Sequence, residues 1–349
     1  MKRIKLSISV LLLLALTAGC KKDQIKGEWL IPEAEVFDGG PGKDGIPAIN
    51  SPSFVQAGEV NFLDENELVV GFLNGNSARA YPHRILDWHE IINDEVEAAK
   101  VAITYCPLTG TATGWDRVIN GKATTFGVSG LLYNSNLIPY DRETDSNWSQ
   151  MQLRCVNGKL IGTEVKLHAV VETSWKTWKE MYPNSLVVDL NTGFNRNYQI
   201  YPYGDYRTNN DRLLFPLSNH DRRLPRKTRV LGIEVNGKAK VYQLADFGSQ
   251  TKMIEDVING VQVLIVGNGE KNFAVAFERN LEDGSQPNFS PLQNQLPLIL
   301  EDESGSQYDV FGYARSGPQA GKRLLPAKAY IGYFFAWGAF YPELEIYQQ

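Results

Sequence analysis

Sulfur and imidazole are scarce in this chain. Its 349 residues include three cysteines and four histidines. That excludes a disulfide-dense or zinc-ribbon scaffold, since each needs several cysteines at short spacings. Long apolar runs are also missing after the first twenty residues, so no helix of the roughly 20 apolar residues that span a bilayer is expected in the body. No run of five like charges occurs, and the net charge is −5. Nucleic acid is therefore not an expected partner, because phosphate binding needs a basic stripe. There is no Gly-x-Ser-x-Gly, phosphate loop, dinucleotide fingerprint or His-Glu-x-x-His. What is present is globular: 43% hydrophobic and 21% charged residues. Sixteen Tyr, fifteen Phe, seven Trp and 31 Gly point to many strands and turns. The length predicts two domains or lobes.

The amino terminus reads as a targeting segment. Lys2, Arg3 and Lys5 precede a short apolar stretch, Leu6 to Leu16, followed by Thr17-Ala18-Gly19-Cys20. A basic start, a short apolar stretch and small residues before the cut describe a secretory signal over residues 1–19. Small residues followed at once by Cys resemble the bacterial lipobox, although Thr17 stands where Leu is usual. Cys20 is thus the expected lipidation site. The protein is expected to be exported and lipid-anchored in the bacterial cell envelope, periplasmic or at the cell surface. Residues 20–53, rich in Gly and Pro from Gly39 onward, read as tether and irregular lead-in.

The body carries an internal recurrence. Val101-Ala102-Ile103 through Trp115-Asp116-Arg117 aligns without gaps to Val263-Leu264-Ile265 through Phe277-Glu278-Arg279. Gly71, Gly75 and Tyr81 recur as Gly232, Gly237 and Tyr242. Ser146 and Trp148 correspond to Ser306 and Tyr308, and Trp178 with Tyr182-Pro183 to Trp337 with Tyr341-Pro342. The expectation is a strand-rich α+β protein of two related lobes from an internal duplication: residues 54–205 and 226–349, joined by a connector over 206–225. In the first lobe Leu68 to Leu73 and Ala78 to Tyr81 read as a hairpin turning at Asn74-Gly75. Ile85 to Asn93 reads as a helix, because Ile85, Trp88 and Ile92 recur at helical spacing. Lys100 to Tyr105 reads as a strand. A hairpin of Ala112 to Val118 with Lys122 to Val128 is expected around Asn120-Gly121. A second helix runs from Ser174 to Met181, before Pro183.

Chemistry-bearing residues sit only in the first copy. His89, Glu90, Cys106 and Pro107 face Thr251, Lys252, Asn268 and Gly269 in the second, and His83 falls near Leu244 or Ala245. His89 shares a helical face with Ile85 and Ile92. Cys106 ends a strand, a common place for a functional side chain. Imidazole beside thiol can generate a thiolate nucleophile. The same pair suits Cu or Zn. His89, Glu90 and Cys106 are thus catalytic candidates, and His89 with Cys106 metal-ligand candidates. The bland alternatives are a structural His, an inert buried Cys, or a Cys106–Cys155 disulfide. His168 and His220 read as structural or surface residues. A polar stretch supplies Asn134, Asn136, Asp141, Ser146 and Trp148, read either as closing turns or as gripping a glycan or other polar ligand. The two competing functions are metal- or thiol-dependent chemistry and a non-catalytic envelope binding module.

The longer motifs resemble a known family. Ala80-Tyr81-Pro82, Ile85-Leu86, Trp88-His89-Glu90-Ile91 and Asn93-Asp94 are similar to the domain of unknown function 3179 family. So are Thr104-Tyr105-Cys106-Pro107-Leu108-Thr109-Gly110, Gly127-Val128-Ser129-Gly130, and Asp141-Arg142 through Trp148-Ser149-Gln150. The resemblance implies a chiefly bacterial, often exported protein with no established activity. It supports the choice of His89, Glu90 and Cys106 without supplying a reaction. Many relatives have Cys-Pro-Leu-Cys where this chain has Cys106-Pro107-Leu108-Thr109, which removes a dithiol cycle within that motif. Relatives often carry an apolar residue at His83, which weakens it as an essential ligand.

Overall fold

The computed structural model describes residues 27–348. The expected signal segment, Cys20 and the start of the tether lie outside the described residues. Strands dominate, and three seven-residue α-helices punctuate them: α1 (His83–His89), α2 (Trp175–Met181) and α3 (Phe334–Phe340). The chain is a strand-rich α+β protein.

The first half builds three five-stranded sheets, besides one two-stranded hairpin. One has Leu68–Asn74 and Ser77–Pro82 as a central hairpin, with Val170–Ser174 antiparallel beside the first strand and Leu186–Val188 parallel beside the second. The next is the meander Ile91–Val96, Ala99–Cys106, Thr111–Asp116. The third runs Phe126–Tyr133, Asn136–Asp141, Asn147–Ser149, Arg154–Asn157. The second half repeats this order. Arg229–Val235 and Lys238–Gln243 form a hairpin flanked by antiparallel Ala329–Tyr333 and parallel Glu345–Ile346. Lys252–Ile258, Val261–Asn268 and Phe273–Leu281 form the meander. Phe289–Pro291, Leu298–Asp302, Gln307–Asp309 and Ala314–Ser316 form the last sheet.

Local sequence explains the joints. Asn236 and Gly237 both adopt positive φ, 49° and 84°, as a two-residue hairpin turn matched to strand twist requires. α2 starts where the Ser174 hydroxyl accepts from the Thr177 backbone N–H. Two expected elements come out differently. α1 ends at His89, because Glu90 takes φ 58° and turns the chain into the strand Ile91–Val96. The Ile85/Trp88/Ile92 spacing therefore joins a helix to a strand. The hairpin at Asn120-Gly121 is only Val118–Ile119 with Lys122–Ala123; Phe126–Tyr133 instead pairs with Asn136–Asp141 in another sheet.

In each half a tryptophan packs directly against a strand glycine. A Cβ added at Gly71 would lie 1.9 Å from Trp178, and one at Gly232 would lie 2.1 Å from Trp337. The two halves also share a core. Trp175 and Trp178 belong to one apolar cluster with Val266, Phe277 and Leu300. A cavity of about 330 Å³ remains at the seam, between Phe72, Gly114 and Val170 on one side and Phe277, Tyr330 and Ile331 on the other.

Candidate functional site

His89 closes α1 and is fully buried. Its Nδ1 lies 2.7 Å from the Pro47 carbonyl, so Nδ1 carries the proton, and its Nε2 accepts from the Tyr198 hydroxyl at 2.7 Å. Phe194 and Tyr198 pack on the ring. Burial lowers its pKa, which keeps the imidazole neutral. Both ring nitrogens are thus occupied.

Cys106 ends its strand as expected and is buried. Its thiol donates to the Ser135 carbonyl at 3.6 Å. Burial pushes the thiol up to about 11, and the Glu90 charge adds to the effect. Glu90 is itself pushed up to about 7 by burial, with the Tyr203 hydroxyl 3.4 Å away. The group brought to Cys106 is therefore a carboxyl, which opposes thiolate formation, whereas an imidazolium would favour it. Cys106 and Cys155 are both free, buried thiols, so the disulfide alternative is not realised.

The polar stretch is also inward-facing. Asn134, Asn136, Asp141, Ser146 and Trp148 are all buried. Asp141 accepts from the Thr144 backbone N–H at 2.7 Å and from Trp148 Nε1 at 3.0 Å. The Ser146 hydroxyl bonds Thr144 and accepts from the Leu160 N–H. Asn136 donates to Thr109 and Gln150, and Asn134 accepts from Ser218. The second half uses the same device, with Asp302 accepting from Ser304, Ser306 and the Tyr308 hydroxyl. These residues lock a turn, and none of the five lines the seam cavity or the cleft described next.

A different set of groups converges beside α1. His83 opens the helix and Asp87 lies one turn on, both buried. They line a cleft of about 300 Å³ with Glu67, Arg84, Tyr201 and Arg207. Arg207 pairs with Asp87 Oδ2 at 2.8 Å and stacks on the Tyr201 ring. His83 packs on Tyr105, ring centroids 4.3 Å apart. Its Nε2 lies 3.4 Å from Glu172 Oε2, an ion-pair distance without hydrogen-bond alignment. The other Glu172 oxygen pairs with Arg229 of the second half. His83 Nε2, Asp87 Oδ1 and Glu172 Oε2 are all buried without a hydrogen-bond partner. Buried polar atoms are rarely left so; His83 Nε2 and Glu172 Oε2 face each other, whereas Asp87 Oδ1 has no such neighbour.

The two carboxyls are tuned apart. Burial pushes Asp87 up to about 6, against the pull of Arg207 and His83. Burial acts on Glu172 too, but Arg229 and His83 outweigh it and hold Glu172 below the usual glutamate range. Asp87 thus gives up its proton at a higher pH than Glu172 does.

The family model described as "Protein of unknown function (DUF3179)" matches residues 43–344. The chain belongs to this DUF3179 family. No curated protein and no solved structure matches it. In this DUF3179 protein no group of three or more His, Cys, Asp and Glu side chains is placed to hold a metal ion, among the described residues. Sequence reading noted His83 but ranked it below His89, and it passed over Asp87, Glu172, Arg207 and Arg229. One signal was available. In the strand register Glu172 matches Ile331, and at the start of the helix or turn His83 matches Leu244. Each is a polar residue in the first half facing an apolar one in the second.

Proposed function

We propose that this DUF3179 protein binds a small ligand bearing hydrogen-bond donors in the cleft of His83 and Asp87, with Glu172 as the adjoining acceptor. The observation that carries the reading is Asp87 Oδ1, a carboxyl oxygen buried in the cleft wall without a hydrogen-bond partner, beside the His83–Glu172 pair. Both arginines are already committed to the carboxyls, so the open valences call for donors: hydroxyls or an ammonium. This is the binding-module reading, moved from the Asn134–Trp148 stretch to α1. The lipobox-like Cys20 supports an exported, membrane-anchored location for it, and the matched sheet order supports descent of the halves from one duplicated unit.

Titration calorimetry on the purified protein with ethanolamine and with glucose tests the cleft. Saturable binding of either, weakened at least tenfold in both Asp87→Asn and Glu172→Gln, is expected. Equal binding in the wild type and both variants, or no saturable binding of either compound, would refute it. A metal centre at His89 and Cys106 is the weaker reading, because it requires the imidazole to give up Tyr198 or Pro47 and the thiol to lose its proton. Stoichiometric Cu or Zn by elemental analysis, lost in Cys106→Ser, would reinstate it.

A further inference from the structure

The carboxylates lining the α1 cleft are matched by guanidiniums. Arg84 grips both Glu67 oxygens, its Nη2 lying 2.5 Å from Oε1 and 2.6 Å from Oε2. Arg207 donates through Nη2 to Asp87 Oδ2 at 2.8 Å. These bonds use only part of each guanidinium. Among the described residues, no protein group accepts from Nη1 of Arg84 or of Arg207. Asn66 and Gln199 are exposed residues of the same lining, and their carboxamides bond to no described residue. Deeper in the wall Asp87, 4% exposed, keeps Oδ1 without a partner. Ile200, 58% exposed, adds an apolar surface to the lining. The cleft therefore offers one buried acceptor, two guanidinium donors and two carboxamides that both donate and accept.

We propose that the cleft takes a sugar, gripped through neighbouring hydroxyls, and not an ammonium compound. This rests on the polar-cleft reading, whose site it shares. A hydroxyl both donates and accepts, whereas an ammonium only donates. One hydroxyl donates to Asp87 Oδ1, its neighbour accepts from a guanidinium N–H, and the carboxamides take up others. An ammonium would answer Asp87 alone and leave two guanidiniums facing a like charge. A carboxylate or phosphate has no proton for Asp87 Oδ1 and sets a like charge beside it. Ile200 gives the C–H face of a sugar ring a surface to pack on. At about 300 Å³ the cleft lies at the small end of ligand sites, room for a single pyranose ring.

Calorimetric titration of the full chain with glucose, cyclohexanol and ethanolamine separates the ligand classes. Glucose is expected to bind saturably. Cyclohexanol, a ring with one hydroxyl, and ethanolamine should each bind weaker by roughly tenfold or more. Arg84→Gln divides the classes by sign. It removes a guanidinium and leaves Glu67 unpaired, so glucose should weaken by roughly fivefold or more, whereas an ammonium ligand should gain. Gln199→Ala changes an exposed residue and should weaken glucose roughly threefold; thermal unfolding checks that both variants are folded, and Gln199→Ala decides alone if Arg84→Gln is not. Ethanolamine or cyclohexanol binding as tightly as glucose would overturn the sugar inference and leave the cleft standing. Glucose binding strengthened by Arg84→Gln would do the same. Glucose binding indifferent to every folded variant would overturn its placement in the cleft. No saturable binding of glucose or ethanolamine would sink the cleft reading and this inference together.

Discussion

The two halves of the molecule keep the same scaffold bonds and differ in what they leave open. Arg79 and Tyr81 both bond Asp94; Lys240 and Tyr242 both bond Asp256. Trp178 lies on Gly71 as Trp337 lies on Gly232. Asp141 locks its turn through Trp148 as Asp302 does through Tyr308. Beside these repeats, the first half places His83 and Glu172 where the second has Leu244 and Ile331, and a full helix where the second has the 3₁₀ turn Leu244–Phe247. Bonds held in common are those the fold needs. The polar groups present in one half alone lie outside that shared set of scaffold bonds.

The sharpest way to break that comparison is at the glycines. Gly71→Ala and Gly232→Ala each drive a methyl into a buried indole, and each should destabilise by about 4 kcal/mol in denaturant unfolding. A cost at one site and none at the other would mean the halves are not built alike. Next comes Glu172→Ile, which gives the first half the second half's residue. It strands Arg229 and should cost about 3 kcal/mol; adding Arg229→Leu should recover most of the loss. If Glu172→Ile alone is neutral, the charge is not part of a tuned pair.

Glu90 sharpens the contrast with Lys252 through pH. Its folded pKa is raised from 4.5 to about 7. The folded state thus holds this proton more tightly than the unfolded chain, so the stability it confers is full below pH 4.5 and lost as pH rises through 7. Glu90→Gln should be more stable than wild type by about 3 kcal/mol at pH 8, with the gap closing by pH 4. Asp87 contributes in the same sense over a lower window, from 3.8 to about 6, and stays in the variant. A pH-independent difference between Glu90→Gln and wild type would dismiss the buried carboxyl as its source. The smallest expected effects are Tyr81→Phe and Tyr242→Phe, each removing one hydroxyl bond to an aspartate at a cost of about 1 kcal/mol. Thermal unfolding of the pair should give matched losses.

Much of this fold was legible. The abundance of aromatics and glycine gives the strand-rich class, and Asn-Gly pairs give the hairpins. Trp178 and Trp337 stand out because Tyr-Pro follows each at the same distance. The misplaced end of α1 has a physical reason: nothing in the spacing of Ile85, Trp88 and Ile92 reveals that Glu90 adopts positive φ between them. The site was harder. His83 and Glu172 lie 89 positions apart and meet only because Val170–Ser174 pairs with Leu68–Asn74, which leads through a hairpin into α1. Arg207 arrives from the connector and Arg229 from the other half. His89 and Cys106 looked promising because imidazole and thiol are the most reactive groups in the sequence. Yet intrinsic reactivity says nothing of orientation, and both spend their polar atoms on neighbouring backbone or hydroxyl groups.

The pairing of Glu172 with Arg229 has an implication for the half that lacks counterparts of His83 and Glu172. That half is not a bystander. It lends a guanidinium across the boundary and closes the far side of the gap with Tyr330 and Ile331. A fragment stopping before residue 226 would retain His83, Asp87 and Glu172, yet it would leave a bare anion facing solvent on an open sheet. The halves are bound to one fate: drift in either is felt by the other.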